Sequence, residues 1–523
     1  MFSTACLAAV ALLVPNVYTQ ALPPVDPTAL QDTITIDALI GGEQALEDFA
    51  YATPERNRLV GSTAHNDTIN YLFEQLSSLG DYYNVTLQPW STLTQTSGSA
   101  NFSANGADQN ATVFEYSQSG APTAPLVAVA NFGCDLTDYP AEVTGNIALI
   151  SRGTCEFGAK SVNAGLAGAD GAVIYNNVAG SLSGTLGPPR PAGPYVPTAG
   201  ISLEQGTALL DQINAGTEVI GDLSVETVIE ERYTNNVIAQ TVGGDQNNVL
   251  ALGGHTDSVA AGPGINDDGS GTIGVLEVAK QLSNYSVTNA VRFGFWAGEE
   301  EGLLGSTFYV DNLPAEELAK IRLYLNYDMI ASPNFVYAIY DGDGSSFNLT
   351  GPQGSAEAEE LFEDYFADNG LNFTATEFSG RSDYGPFLEA GIASGGLFTG
   401  AEGIKTEEEA EAFGGEANVA YDVNYHGPGD NVTNLNATAF LANTKAIAYS
   451  TAVYATSFDS LGQTKSKRSM AIRGSTNARK PKAGLTKLRR SKIMKRKVTP
   501  ETPVNGETTK KMFKAMRTRK LFI

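Results

Sequence analysis

Residues 247–306, NNVLALGGHTDSVAAGPGINDDGSGTIGVLEVAKQLSNYSVTNAVRFGFWAGEEEGLLGS, decide the fold. Two apolar runs, Val249–Gly253 and Val291–Ala297, read as buried strands. Between them Thr272–Ser283 reads as a helix; another helix follows Gly305, and Leu323–Met329 is a third strand. Strands alternating with helices predict an α/β fold with a mixed, largely parallel sheet covered by helices. In such sheets ligands gather beyond the carboxyl ends of the strands, and the acids and histidines of this chain cluster in sequence at those ends.

His255 closes the first strand, and Asp257 follows two residues later. A histidine at a strand end is often structural, but the chain has only 3 histidines, and an acid at this spacing can orient an imidazole that ligates a metal. Asp267 and Asp268 stand in a Gly-rich turn before the helix. A helix-capping role explains one of them; a rigidly held carboxylate can also bridge two cations, and Asp267 is the expected bridge, with Asp268 pointing elsewhere. Glu299, Glu300 and Glu301 follow directly on a buried-looking strand. Packing carboxylates there is costly through mutual repulsion unless a cation neutralises them. A neighbour that does not ligate can then accept a proton from water. Asp328 ends the next strand, and "NYHGPGDN" later supplies Tyr425 and His426. Two His and three carboxylates suit two zinc ions sharing a bridging carboxylate, and the same ligand types also suit manganese or cobalt.

The 523-residue chain is long enough for more than one core. Residues 22–112 read as a first part of the main domain, helical over Gly41–Ala50 and His65–Leu79 and then extended over Tyr82–Trp90. Residues 113–230 change texture to short apolar strands (Leu126–Ala130, Asn146–Ile150, Gly171–Tyr175) among Gly and Pro clusters, a small β-rich insert. Its segment GNIALISRGTCEFGAKSVNAGLAGADGAVIYNN resembles the protease-associated (PA) domain, a resemblance that carries no catalytic group. Residues 231–463 return to the main domain.

The run Phe2–Val14 is too short to span a bilayer and precedes small residues near Thr19–Ala21, so residues 1–21 read as a signal peptide, with a buried helix as the alternative. Sequons at Asn66, Asn84, Asn101, Asn110, Asn284, Asn348, Asn372, Asn431 and Asn436 fit a glycosylated exported surface. With Cys6 removed, Cys134 and Cys155 remain as a pair for an oxidising compartment to bridge, or as two buried thiols. The formal charge of -25 hides a basic tail, residues 464–523, which reads as disordered. An acidic exported body offers no nucleic-acid function, and no later stretch reads as a membrane helix.

The motifs GGHTDS, GPGINDDGSG, FWAGEEEGLLGS, NYDMIASPN, GRSDYGPF and GGLFTGAEG resemble the M28 family of zinc aminopeptidases, in the subgroup with an inserted PA domain. The resemblance runs from about Asn57 to Ala455 and implies the zinc-exopeptidase form of the α/β fold. It implies two zinc ions per chain, with His255, Glu300, Asp328 and His426 as terminal ligands and Asp267 as the bridge. Glu299 becomes the general base, Asp257 orients His255, and Tyr425 holds the oxyanion. Arg381, Ser382, Asp383 and Phe398 line the pocket for the substrate's N-terminal residue. Relatives often carry a cysteine pair flanking the last histidine, where Val423 and Gly429 stand here. The implied protein is a secreted (alternatively vacuolar) di-zinc aminopeptidase, a monomer acting on peptides with a free N-terminus and preferring large apolar residues. A receptor-like ectodomain of the same architecture, a carboxypeptidase and a glutaminyl cyclase are the rival readings.

Overall fold

The computed structural model describes residues 21–462 apart from Pro188 and Pro191. The expected signal segment other than Ala21, and the basic tail from Thr464, lie outside the described residues. The chain divides into two compact units. Among the described residues, the larger contains the chain up to Thr92, Glu231–Leu388 and Ile392–Phe458, and the smaller is built on Leu93–Glu230. The smaller unit therefore starts about twenty residues before the 113 expected from composition. The strand expected to stop at Trp90 runs on as Tyr83–Ala104. Its second half is a Ser- and Thr-rich run without the apolar alternation that marks a strand in sequence.

The sheet of the larger unit includes β1 (Ile220–Thr241, from Glu231 onward), β2 (Asp245–His255), β3 (Asn289–Trp296), β4 (Ile321–Tyr327), β5 (Ala338–Tyr340), β6 (Thr374–Thr376) and β7 (Ser394–Phe398), in the order β6-β5-β7-β4-β2-β3-β1, and the strand Tyr83–Ala104 pairs with β1. The central neighbours are parallel: β2 with β3, β2 with β4, and β4 with β7. β1 lies antiparallel to β3, and β5 antiparallel to β7. Every residue of β3 is buried, as a sheet covered on both faces requires.

The covering helices include α1 (Ile36–Tyr51), α2 (Thr63–Ser77), α3 (Gly271–Leu282), α4 (Leu304–Asn312) and α5 (Ala437–Thr456). Both N-terminal helices start earlier than their apolar periods suggest, because capping hydroxyls set the ends: Thr35 accepts from the Ala38 amide and Ser62 from the His65 amide.

Register places the site. His255 lies opposite Trp296, and Gly253 opposite Asn326. The last residue of β2, the turn after β3 and the first residue after β4 consequently open at one edge of the sheet. Tyr327 lies opposite Leu397, which brings the end of β7 and Phe398 to the same edge.

The smaller unit has its own α/β core. Strands Thr123–Ala128, Ile147–Ser151, Gly171–Tyr175 and Thr198–Ile201 are parallel, and Thr112–Glu115 runs antiparallel to the last. Helices Phe157–Leu166 and Leu203–Asn214 belong to this unit, so the insert is less purely β than its Gly- and Pro-rich sequence suggests. Cys134 and Cys155 are joined in a disulfide, closing a segment of 21 residues. In the chain-entropy account, such a loop stabilises by roughly 3 kcal/mol. The buried Lys160 donates to the Gly153 carbonyl at 2.9 Å, which ties the same loop to its helix.

Candidate metal centre and substrate pocket

At the sheet edge two groups of side chains meet on one carboxylate. His255 Nε2 lies 3.2 Å from Asp267 Oδ1 and 3.8 Å from Asp328 Oδ1. His426 Nε2 lies 3.3 Å from Asp267 Oδ2 and 3.1 Å from Glu300 Oε2. Asp267 thus turns one oxygen to each histidine. Glu299 Oε2 is 3.9 Å from His255 Nε2 and lines the pocket.

The neighbouring acids are spent on the framework. Asp268 accepts at Oδ2 from the His255 amide (3.0 Å) and at Oδ1 from the amides of Gly271 (2.8 Å) and Met329 (3.0 Å). It falls within ligand distance of His255 and Asp328, but three amides already engage its oxygens, so Asp328 is the better donor. Asp257 Oδ1 stands 3.6 Å from His255 Nδ1, an ion-pair distance rather than a hydrogen bond. Asp257 also accepts from the consecutive amides of Gly298 (2.8 Å), Glu299 (3.2 Å) and Glu300 (3.3 Å). The side chain expected to orient one histidine therefore also shapes the turn that presents both glutamates.

A buried relay reaches Asp328 from the core. Trp296 Nε1 donates to the Tyr324 hydroxyl at 2.8 Å, which donates to Asn326 Oδ1 at 3.0 Å. Asn326 Nδ2 donates to Ser382 Oγ at 2.7 Å, and Ser382 Oγ donates to Asp328 Oδ2.

The electrostatics follow from crowding. Burial pushes the Glu299 carboxyl well up, His255 opposes that, and Asp328, Glu300 and Asp383 add to it. Burial likewise lifts Asp328 to about 6 against the pull of His255. Burial lowers the His255 imidazolium, but Glu299, Asp257 and Asp267 outweigh it and raise the net value. Buried carboxylates outnumber the histidines here, and a divalent cation relieves that repulsion. Glu300 Oε1 is buried with no hydrogen-bond partner. His255, Asp267 and Glu300 offer ligand atoms within 4.8 Å of one another, imidazole and carboxylate donors of the kind zinc takes. The residues fit such an ion.

Beside this cluster opens a pocket lined by Met329, Tyr340, Tyr384, Phe398 and Ala401, with Arg381, Ser382 and Tyr425 at its polar side. Arg381 donates from Nη2 to the Tyr425 hydroxyl at 3.1 Å and from Nη1 to Glu402 Oε1 at 2.8 Å. The Tyr425 ring stacks on His426 with centroids 3.8 Å apart. Of the four residues expected to line the pocket, Asp383 does not: its side chain is buried, and burial lifts its carboxyl to about 7. Sequence reasoning also missed Tyr340, Tyr384 and Glu402, none of which is an acid or a histidine directly at the end of a long apolar run.

Comparison with known proteins identifies the family. Residues 236–451 match peptidase family M28, and residues 122–209 match the PA domain. The probable leucine aminopeptidase 2 of Aspergillus fumigatus is 57% identical over 444 residues, covering 84% of this chain and 87% of that one. The aminopeptidase from Aneurinibacillus sp. strain AM-1 superposes with a TM-score of 0.69 at 27% identity, over 82% of this chain and 95% of that one. BSAP, a zinc aminopeptidase from Bacillus subtilis, gives 0.58 at 25% identity, over 82% and 96%. The sheet, the inserted unit and the acid-histidine edge define a peptidase of the hydrolase class. The chain belongs to peptidase family M28, with a PA domain inserted in its sequence.

Asp257→Asn tests the framework. The amide keeps the shape but sets an NH2 group against backbone donors, and we expect kcat to fall by about 10- to 100-fold, the range for residues that orient ligands. An unchanged kcat in steady-state assays contradicts the role given to Asp257.

Proposed function

We propose that this protein is a di-zinc aminopeptidase that removes single, large apolar residues from the free N-terminus of peptides. The observation that carries the reading is the division of Asp267, with Oδ1 facing His255 and Oδ2 facing His426. On this reading His255 and Asp328 would help hold one zinc ion and His426 and Glu300 a second, with Asp267 as the ligand common to both. Zinc held there would supply Lewis acidity for hydrolysis near neutral pH.

The chain's own groups do the rest. Glu299 accepts the proton of the attacking water and returns it to the leaving amine. Its place beside the pocket and outside the two ligand groups supports that role. Tyr425 donates its hydroxyl proton toward the oxyanion, because Arg381 occupies the phenol oxygen as a donor and leaves that proton free. Burial, with Asp267 and Glu300 beside it, raises the Tyr425 phenol well above its usual value, so it stays protonated. The substrate's α-ammonium is held by the surplus of carboxylates, which makes a free N-terminus the point of entry. Met329, Tyr340 and Phe398 receive the first side chain, which favours Leu or Phe over charged residues.

The same reading places the enzyme, as a monomer, outside the cell or in the vacuolar lumen. The disulfide supports passage through an oxidising compartment. So do exposed sequons at Asn84, Asn101, Asn110, Asn284, Asn348 and Asn372; Asn66, Asn431 and Asn436 are half-buried. No helix among the described residues is long and apolar enough to cross a membrane.

Two substitutions separate base from ligand. Glu299→Gln cannot accept a proton, so zinc stays bound while kcat falls by ~10² to 10⁴. Glu300→Gln removes a ligand, so zinc content and activity fall together. A Glu299→Gln enzyme with near-normal kcat and full zinc contradicts the assignment, and one that loses its zinc makes Glu299 a ligand. A panel of aminoacyl p-nitroanilides checks specificity: kcat/KM is expected to be highest for Leu or Phe, and a preference for Asp, Glu or Lys overturns the pocket reading.

A further inference from the structure

His426 differs from His255 in how it is held. His255 ends a central strand and is wholly buried. The His426 side chain is 38% exposed, and its backbone is left-handed, with φ at 54°. It stands in an irregular segment between β7 and α5. No disulfide closes that segment: Cys134 and Cys155 are bonded to each other, and Val423 and Gly429 occupy the places where relatives often carry cysteines. A loosely held histidine makes a weak ligand, so its placement needs another source.

Two buried acids stand four residues either side of it, Asp422 and Asp430. Asp422 accepts from Asn266 Nδ2 at 2.7 Å, from the Asn424 amide at 2.8 Å and from Asn434 Nδ2 at 2.9 Å. Asp430 accepts at Oδ1 from the Asn266 amide (2.8 Å) and from Asn434 Nδ2 (3.3 Å). Its Oδ2 accepts from the Asp267 amide at 3.1 Å. The backbones meet as well, with the Ile265 amide donating to the Asp430 carbonyl at 3.1 Å. A side chain on Gly262 would lie 2.0 Å from the Gly427 carbonyl oxygen, so the two loops approach as closely as backbone allows.

The geometry points to Asp430 as a positioning residue that couples the two halves of the metal centre, one carboxylate anchoring both the backbone of Asp267 and the loop that carries His426. The inference rests on the metal reading above. Asp422 grips the same loop and Asn266, but does not touch the Asp267 amide. The pair of acids forms a hydrogen-bonded clamp around His426, and Asp430 is the member that reaches the bridging residue. Loss of Asp430 frees the distance between Asp267 and His426, which sets how tightly the His426 half can hold an ion. The half built on His255 and Asp328 keeps its own supports in Asp257 and Ser382.

The test uses the full chain stripped of metal and titrated with zinc against a chelating indicator, with melting of the metal-free protein recorded alongside. Asp430→Asn presents an NH2 group to backbone donors at unchanged size. We expect it to weaken the more loosely held zinc equivalent by about 10- to 100-fold while the tighter one changes little. Asp422→Asn, the control, is expected to lower the melting temperature comparably but to weaken zinc less than tenfold. Equal zinc losses in the two variants, or wild-type zinc affinity in Asp430→Asn, overturn the inference and leave the metal reading standing. A wild-type chain that binds no zinc overturns both. If Asp430→Asn does not fold, hydrogen exchange of the wild-type protein decides. Zinc is expected to slow exchange in residues 262–268 and 422–431 together, and protection of only one segment overturns the coupling.

Discussion

The site depends on one buried carboxylate that does no chemistry. Asp268 receives the amides of His255, Gly271 and Met329, and so fastens the end of β2, the start of α3 and the residue after Asp328 to one point. Each of these elements carries, or adjoins, a member of the acid-histidine cluster. With Asp268 turned into the framework, Asp267 faces the opposite way, toward both histidines. Two adjacent acids of the same type thus divide into a structural anchor and a functional group.

The same division recurs around the site. Asp257 holds the turn bearing Glu299 and Glu300, and Asp430 holds Asp267 from behind. These inner acids accept hydrogen bonds from backbone amides, whose partial positive charges are fixed in place. The outer acids, Asp267, Glu299, Glu300 and Asp328, face one another and the histidines instead: burial, with the neighbouring acids, lifts Glu299 and Asp328, whereas the two histidines outweigh burial at Asp267 and lower it. Folding can carry that repulsion because the amide-bonded acids and the Trp296–Tyr324–Asn326–Ser382 relay make the edge rigid. A divalent cation then turns the repulsion into binding energy.

Much of this was legible in the sequence for a physical reason. β2, β3 and β4 are buried on both faces and show as apolar runs, and an acid or histidine directly after such a run stands out. His255, Glu299, Glu300 and Asp328 were found that way, and the structure brings them together. The supporting residues were harder to see. Asn266, Asp422, Asp430 and Asn434 sit in loops or short helical turns, where an acid or an amide is unremarkable, and only their burial marks them. Asp383 shares a motif with Ser382 but, unlike it, does not line the pocket, a difference that a motif does not record. The boundary at Leu93 was hidden for a related reason, since a half-exposed Ser- and Thr-rich strand resembles a linker in composition.

The central claim is that the Asp267 carboxylate lies between two metal ions. Diffraction from zinc-loaded crystals at energies above and below the zinc absorption edge tests it most directly, because the difference map shows zinc alone. The account expects two peaks on either side of Asp267, one beside His255 and Asp328 and the other beside His426 and Glu300. A single peak, or peaks that leave Asp267 out, contradicts it.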